Sequence, residues 1–144
     1  MIIGIANDHS AVKMKKELLE YLVSKGYEVI NFGTDTDESV DYPIYGEKLA
    51  HAVRDGYVER GIAICGTGVG IGIACNKVAG IRACTCSEPY SAKLSRCHND
   101  AQIITFGARV VGIELAKMIV DIFLETEFEA GRHARRVDQL NHIK

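Results

Sequence analysis

Five short runs of small and β-branched apolar residues, each followed by a stretch of helical period, set the strongest constraint on how this chain can fold. The runs cover residues 2–6, 27–32, 61–65, 81–84 and 102–106. They are apolar on both faces, which suits strands covered on both sides. Parallel strands need a crossover, and the crossover is nearly always right-handed. The pattern therefore predicts an α/β fold, a three-layer, Rossmann-like (doubly wound) sandwich with a five-stranded parallel sheet. In the first helical stretch Ala11, Met14, Leu18 and Leu22 recur at three- and four-residue steps, with Lys13, Lys16, Glu17 and Glu20 on the other side. Pro43 and Pro89 suit first helical turns, with Asp41 and Ser87 just upstream as caps.

Length and composition narrow the class. A chain of 144 residues is the size of one domain, 1–144. Its net charge of -2 is far from the basic balance of a nucleic-acid binder. No apolar run approaches the roughly 20 residues that cross a bilayer, and the start MIIGIAND has no basic leader. A cytoplasmic protein with no membrane partner is expected. The five cysteines, Cys65, Cys75, Cys84, Cys86 and Cys97, never fall in C-x-x-C spacing and read as reduced thiols, mostly buried.

In a doubly wound sheet, ligands gather at the carboxyl ends of the strands, where strand order reverses. Two stretches compete for that place. "GIAICGTGVGIGIACNK" puts Cys65 at a strand end and follows it with Gly66, Gly68, Gly70 and Gly72. It fails the G-x-G-x-x-G test from every start, and Lys77 lacks the Walker context, so dinucleotides and nucleoside triphosphates are poor candidates. What remains is a turn whose amides, from Gly66 through Val69 to Gly70, can converge on an anion or on an oxyanion formed in a reaction. Tight packing of helix on sheet would need the same glycines. A thiol at a helix N-terminus can serve as base or nucleophile, although a buried, inert cysteine is the plainer reading. Thr67 offers a hydroxyl to a substrate or a cap to the helix.

"NDHS" places Asp8 and His9 where the first strand meets its helix; Asp8 serves equally well as a cap. "SRCHND" pairs His98, a proton-transfer group, with Asn99, an amide able to fix hydroxyls, at a helix end that Asn99 could simply close. Arg132 and Arg136 lie four apart in the tail, a phosphate clamp or a solvated basic face. That tail has too few apolar residues for a core helix and reads as a helix that crosses the surface or packs on a second subunit. The histidines show no H-x-x-x-H or H-E-x-x-H spacing, so no metal and no cofactor is expected.

The segments "DHS", "DYP", "GIAICGTGVGIGIACNKVAGIRA", "LSRCHND", "ITFGARV" and "GRHARRV" fall in an order that resembles the ribose/galactose sugar-phosphate isomerase family over nearly the whole length. The resemblance implies a metal-independent aldose–ketose isomerase of carbohydrate metabolism, converting ribose 5-phosphate and ribulose 5-phosphate through an enediolate. It implies a homodimer or a dimer of dimers, with the site between subunits and the C-terminal helix extending to the partner. Carried over by position, Cys65 is the base, Thr67 assists proton movement between O1 and O2, and His98 opens the sugar ring with Asp8. His9, Arg132 and Arg136 contact phosphate, Tyr42 and Asn99 contact the sugar, and Arg109 is a weaker match. Ser10 and Ala11 stand where the family has Ala-Gly, and Gln102 where it has Asn, which leaves the preferred sugar open. A six-carbon substrate, allose 6-phosphate or a galactose 6-phosphate, and a sugar-phosphate-binding module without turnover are the competing readings.

Overall fold

The computed structural model describes residues 1–144. Five parallel strands form one sheet: β1 (Ile2–Asn7), β2 (Glu28–Asn31), β3 (Arg60–Cys65), β4 (Ala83–Thr85) and β5 (Ile103–Gly107), in the order β2-β1-β3-β5-β4. Each is followed by a helix: α1 (Val12–Ser24), α2 (Tyr42–Arg54), α3 (Val69–Asn76), α4 (Pro89–Asn99) and α5 (Ile113–Glu125); α6 (Arg132–His142) closes the chain. The three-layer α/β sandwich read from the apolar runs is the fold observed.

Alternation along the central strands sends side chains to two apolar layers. Ile3, Ile5, Ile62, Ile64, Ile104 and Phe106 meet Leu18 and Leu22 of α1 and Ile119, Val120 and Phe123 of α5. On the other face Ala63, Cys65 and Ile103 meet Leu49, Ala50 and Val53 of α2 and Ile71 and Cys75 of α3. Burying each large side chain is worth about 1.5–3 kcal/mol, so these two layers dominate the stability. No helix is long and apolar enough to cross a membrane.

Several local expectations need correcting. β2 is an edge strand with mostly exposed residues, because no sheet neighbour or helix covers its outer side. On α4 the cap is Glu88 rather than Ser87: its carboxylate accepts the Ser91 N–H at 3.0 Å, and hydrogen bonding from the Ser91 side chain and then its main chain holds it below the usual carboxylate range. Asp41 occupies the capping position of α2 without making a capping bond. α4 is closed by Asp100, at φ +46°, one residue past Asn99. On α1 it is Lys15, with Leu18 and Leu22, that is fully buried. Its ammonium donates to the Thr34 carbonyl at 2.9 Å and pairs with Asp35, which ties the β2–α2 loop to the helix.

β1 lies between β2 and β3, so the chain leaves it in one direction and returns on its other side. The reversal point is the crevice between the carboxyl ends of β1 and β3. Asp8 follows one strand and Cys65 ends the other.

Candidate active site

The parallel register of β1 and β3, with Asn7 opposite Ile64, brings the two ligand-bearing turns side by side, and the Asp8 N–H donates to the Ile64 carbonyl at 3.2 Å. Asp8 is 7% exposed and caps the 3-10 turn His9–Ala11, accepting the Ser10 N–H at 3.0 Å. The capping role is thus realised. Ser10, one of the departures from the family pattern, also gives its hydroxyl to the same carboxylate oxygen. His9 Nδ1 accepts the Val40 N–H at 3.1 Å. In a neutral ring that bond leaves the proton on Nε2, free to donate to an anion.

The turn after β3 is shaped by what its glycines allow. Gly68 has φ +81°, and a Cβ there would stand 2.5 Å from the Phe106 main chain. Only glycine lets the turn lie this close on β5. That placement aims the Gly68 N–H at Cys65 Sγ, 3.1 Å away. The Val69 N–H donates to Thr67 Oγ1 at 3.2 Å. Two of the five amides expected to face a ligand are therefore occupied internally, one by the sulfur and one by the hydroxyl. Those of Gly66, Thr67 and Gly70 meet no acceptor within the chain. They are the free donors of the helix N-terminus. Tyr42 lies over Gly70, where a Cβ would touch its ring at 2.7 Å, and the Arg109 guanidinium lies beside Gly66.

Cys65 is set apart from the other cysteines by its surroundings. Cys75 donates to the Gly46 carbonyl at 3.4 Å, and burial pushes its thiol up to about 12. Burial likewise pushes Cys86 up to about 12 and raises Cys84. Those thiols are inert at neutral pH. Cys65 is as buried as Cys86 and Cys97, but it lies two residues from the exposed Thr67 and is the one cysteine whose sulfur accepts a main-chain N–H. With three free amides next to it, the sulfur can hold or remove a proton at a carbon whose oxygen those amides receive.

Asp8, His9, Tyr42, Cys65, Gly66, Thr67, Gly68, Val69, Gly70 and Arg109 thus gather at one end of the sheet. The remaining four candidates are elsewhere. His98 and Asn99 end α4, which leads through three residues into the start of β5, paired there with the start of β3. Arg82, just ahead of β4, donates to the carbonyls of Asn99 and Asp100 at 2.9 Å each. Gln102, the second departure, anchors the same corner by accepting the Arg82 N–H at 2.7 Å. The four steps from Ile103 to Gly107, at about 3.3 Å each, separate the start of β5, where the end of α4 lies, from the Cys65 end by roughly 13 Å along the strands. Arg132 and Arg136 accompany His98, because α6 packs on α4: the rings of His133 and His98 stack at 4.2 Å with 12° between planes. Both arginines are exposed.

His98, Glu129 and His133 bring ligand atoms within 4.8 Å of one another. Nearly parallel stacked rings direct their in-plane lone pairs alongside each other, whereas one ion needs them to converge. Burial, and then the neighbouring His98 and Arg132, hold His133 below the ordinary histidine range.

Three hollows mark the surface; the first, about 390 Å³, lies between the start of α1 and the β5–α5 turn and is lined by Ser10, Lys13, Val111 and others. Cys65 lines none of the three. No hollow of the chain encloses the Cys65 turn.

Comparison with known proteins agrees with the motif order. The sequence model of the family described as Ribose/Galactose Isomerase matches residues 3–140. The chain is 54% identical to ribose-5-phosphate isomerase B of Escherichia coli, covering 99% of this chain and 95% of that protein. It is 45% identical to D-erythrulose-4-phosphate isomerase of Pectobacterium atrosepticum, covering 99% and 94%. The structure of ribose-5-phosphate isomerase B from Clostridium thermocellum superposes with a TM-score of 0.97 at 55% identity, over 98% of this chain and 95% of that one.

Proposed function

The chain belongs to the ribose/galactose isomerase family and is an aldose–ketose isomerase; we propose that it interconverts ribose 5-phosphate and ribulose 5-phosphate through an enediolate, with Cys65 as the base. The observation that carries this reading is the Cys65 turn, where a sulfur that accepts one amide stands beside three amides with no acceptor of their own. A carbonyl oxygen placed on those amides puts the adjacent carbon within reach of the sulfur. The Cys65 thiolate takes the C2 proton of the open-chain aldose, and the electron pair moves to O1 as the enediolate forms. The free amides receive that charge without reorganising, and losing one such donor typically costs 10²-fold or more in rate. Thr67 carries the proton between O2 and O1, and the thiol returns its proton to C1. No step calls for a metal.

His98, Asn99, Arg132 and Arg136 reach this turn from a second copy of the chain. The separation along β5 supports a reach between copies rather than within one, and the open side at Cys65 is where the partner's α4 end and α6 would sit. In that arrangement His98, with Asp8, opens the furanose ring. His9, Arg132 and Arg136 hold the phosphate with help from Arg109, while Tyr42 and Asn99 receive sugar hydroxyls. Five cysteines without a disulfide fit the reducing cytoplasm.

A coupled assay over four-, five- and six-carbon aldose and ketose phosphates, run with and without chelator, tests the substrate. Ribose 5-phosphate should give the highest kcat/KM, unchanged by chelation. Preference for an erythrulose 4-phosphate or an allose 6-phosphate would replace the substrate and keep the chemistry. Failure on every sugar would leave a binding module. His98→Asn should cut turnover of the cyclic aldose by about 10²-fold, the low end for a lost general acid or base, and leave ribulose 5-phosphate, which cannot close to a furanose through its own phosphorylated O5, close to wild type in the first enolisation step. Deuterium exchange at C1 of the ketose reads that step, and equal losses on both substrates would remove His98 from ring opening.

A further inference from the structure

β5 carries a hydroxyl where the fold asks for an apolar side chain. Thr105 points to the α2/α3 face between Ile103 and Gly107, pairs across the sheet with Ala63, and is wholly buried. A hydroxyl in such a place is costly unless it is bonded. Thr105 Oγ1 lies 2.8 Å from the Gly68 carbonyl oxygen. Thr85, its register partner on β4, reaches Thr105 Oγ1 at 2.7 Å and the same carbonyl at 3.3 Å. α3 comes this close because Gly72 has no Cβ: one there would stand 2.8 Å from Thr85 Oγ1 and 3.0 Å from Thr105 Oγ1.

We propose that Thr105 is a positioning residue for the isomerase turn: backed by Thr85, it anchors the Gly68 carbonyl and thereby fixes the Thr67 hydroxyl as a hydrogen-bond donor toward the substrate. The proposal rests on the role given to Thr67 above. The carbonyl of Gly68 and the N–H of Val69 belong to one planar peptide, so holding one end sets the direction of the other. That N–H donates to Thr67 Oγ1 at 3.2 Å. With a lone pair filled from the protein side, Thr67 is left to turn its own hydrogen outward. The Gly68 oxygen takes the Gly72 N–H at 3.1 Å and cannot itself donate, and Thr105 is the nearer of the two hydroxyls to it, at 2.8 against 3.3 Å; with the Thr105 hydrogen there, the run is Thr85 to Thr105 to the Gly68–Val69 peptide to Thr67. Bonds aligned in one direction strengthen one another, which makes the Val69 N–H a better donor than an isolated amide.

Thr105→Val keeps the shape and removes the hydroxyl. In the full-length protein kcat on ribose 5-phosphate should fall about tenfold with KM unchanged within about twofold, the size of one lost hydrogen bond in the reacting state. Exchange of the Val69 amide with deuterated water should speed up, and Thr105→Ser should restore both readings. In a Thr67→Ala background Thr105→Val should add nothing further to the loss of kcat. Thr85→Val, at the exposed sheet edge, should move both readings the same way by a smaller factor, and decides the matter if Thr105→Val does not fold. Wild-type kcat with wild-type Val69 exchange in the valine variants would overturn the proposal, as would losses that multiply with Thr67→Ala. If the wild-type protein turned over no sugar phosphate, the function would fail while Val69 exchange still decided the anchoring.

Discussion

Cys65→Ala lowers turnover of ribose 5-phosphate by roughly 10² to 10⁴-fold, the range for removing a general base, and leaves binding of the sugar phosphate within a few-fold of wild type. The asymmetry follows from where the contacts lie. In the proposed site the phosphate end is held by His9 and the arginines, and the amides of Gly66, Thr67 and Gly70 remain when the sulfur is gone, so the ground state should lose little. Only the reacting state needs the proton removed. Stability should change by about 1 kcal/mol, since the sulfur sits at the rim of its apolar layer beside Ala63. Cys75→Ala should do the reverse, costing stability and leaving kcat, because that thiol is fully buried, bonded to Gly46 and held near 12. Isothermal titration with ribose 5-phosphate, set beside the coupled assay, separates the two effects. A Cys65→Ala protein with normal kcat would remove the sulfur from the chemistry.

Mixing two inactive variants restores activity, the second large effect expected. If each site takes Cys65 from one copy and His98 from another, a dimer of Cys65→Ala with His98→Asn holds one site with both defects and one with neither. Random reassortment of equal amounts makes half the dimers mixed, so about a quarter of all sites become intact. The mixture should reach about a quarter of the wild-type rate on the cyclic aldose after unfolding and refolding together, from parents that are each depressed by about 10²-fold or more. Refolding the parents separately and combining them cold gives the control. Activity that never exceeds the mean of the parents would put both residues of a working site in a single copy, against the roughly 13 Å that the strand steps impose.

The fold was legible because the central runs of apolar residues had one physical use. Ile62, Ala63 and Ile64 are apolar on both sheet faces, and a strand of that kind has nowhere to go except between two layers of helices. The turn at Cys65 was legible for the same reason, since Gly68 at φ +81° against Phe106 is a position no side chain could fill. Other features carried no local signature. Ser87 is a preferred capping type and Glu88 is not, so only the observed bond to Ser91 reveals the cap. Lys15 shares the period of Leu18 and Leu22, but a lysine in a helix reads as solvent-facing until the loop carrying Thr34 and Asp35 is seen to receive it. His98 and Cys65 look like partners in sequence, and the sheet holds them at opposite ends. Thr105 carries no signal inside "ITFGARV", because a threonine in a strand is ordinary; its meaning depends on Gly68, 37 residues away. Local chemistry shows in a sequence, whereas pairings across the sheet depend on register.

Isomerisation in deuterated water, followed by proton NMR of the sugar, tests most directly that the Cys65 sulfur carries the proton between the two carbons. With the wild-type protein, label from the solvent should enter C1 of ribulose 5-phosphate and C2 of ribose 5-phosphate at a rate comparable to turnover, and with Cys65→Ala both carbons should stay unlabelled over the same interval while the sugar remains bound. Undiminished labelling by the alanine variant would assign the proton to another group and contradict the account.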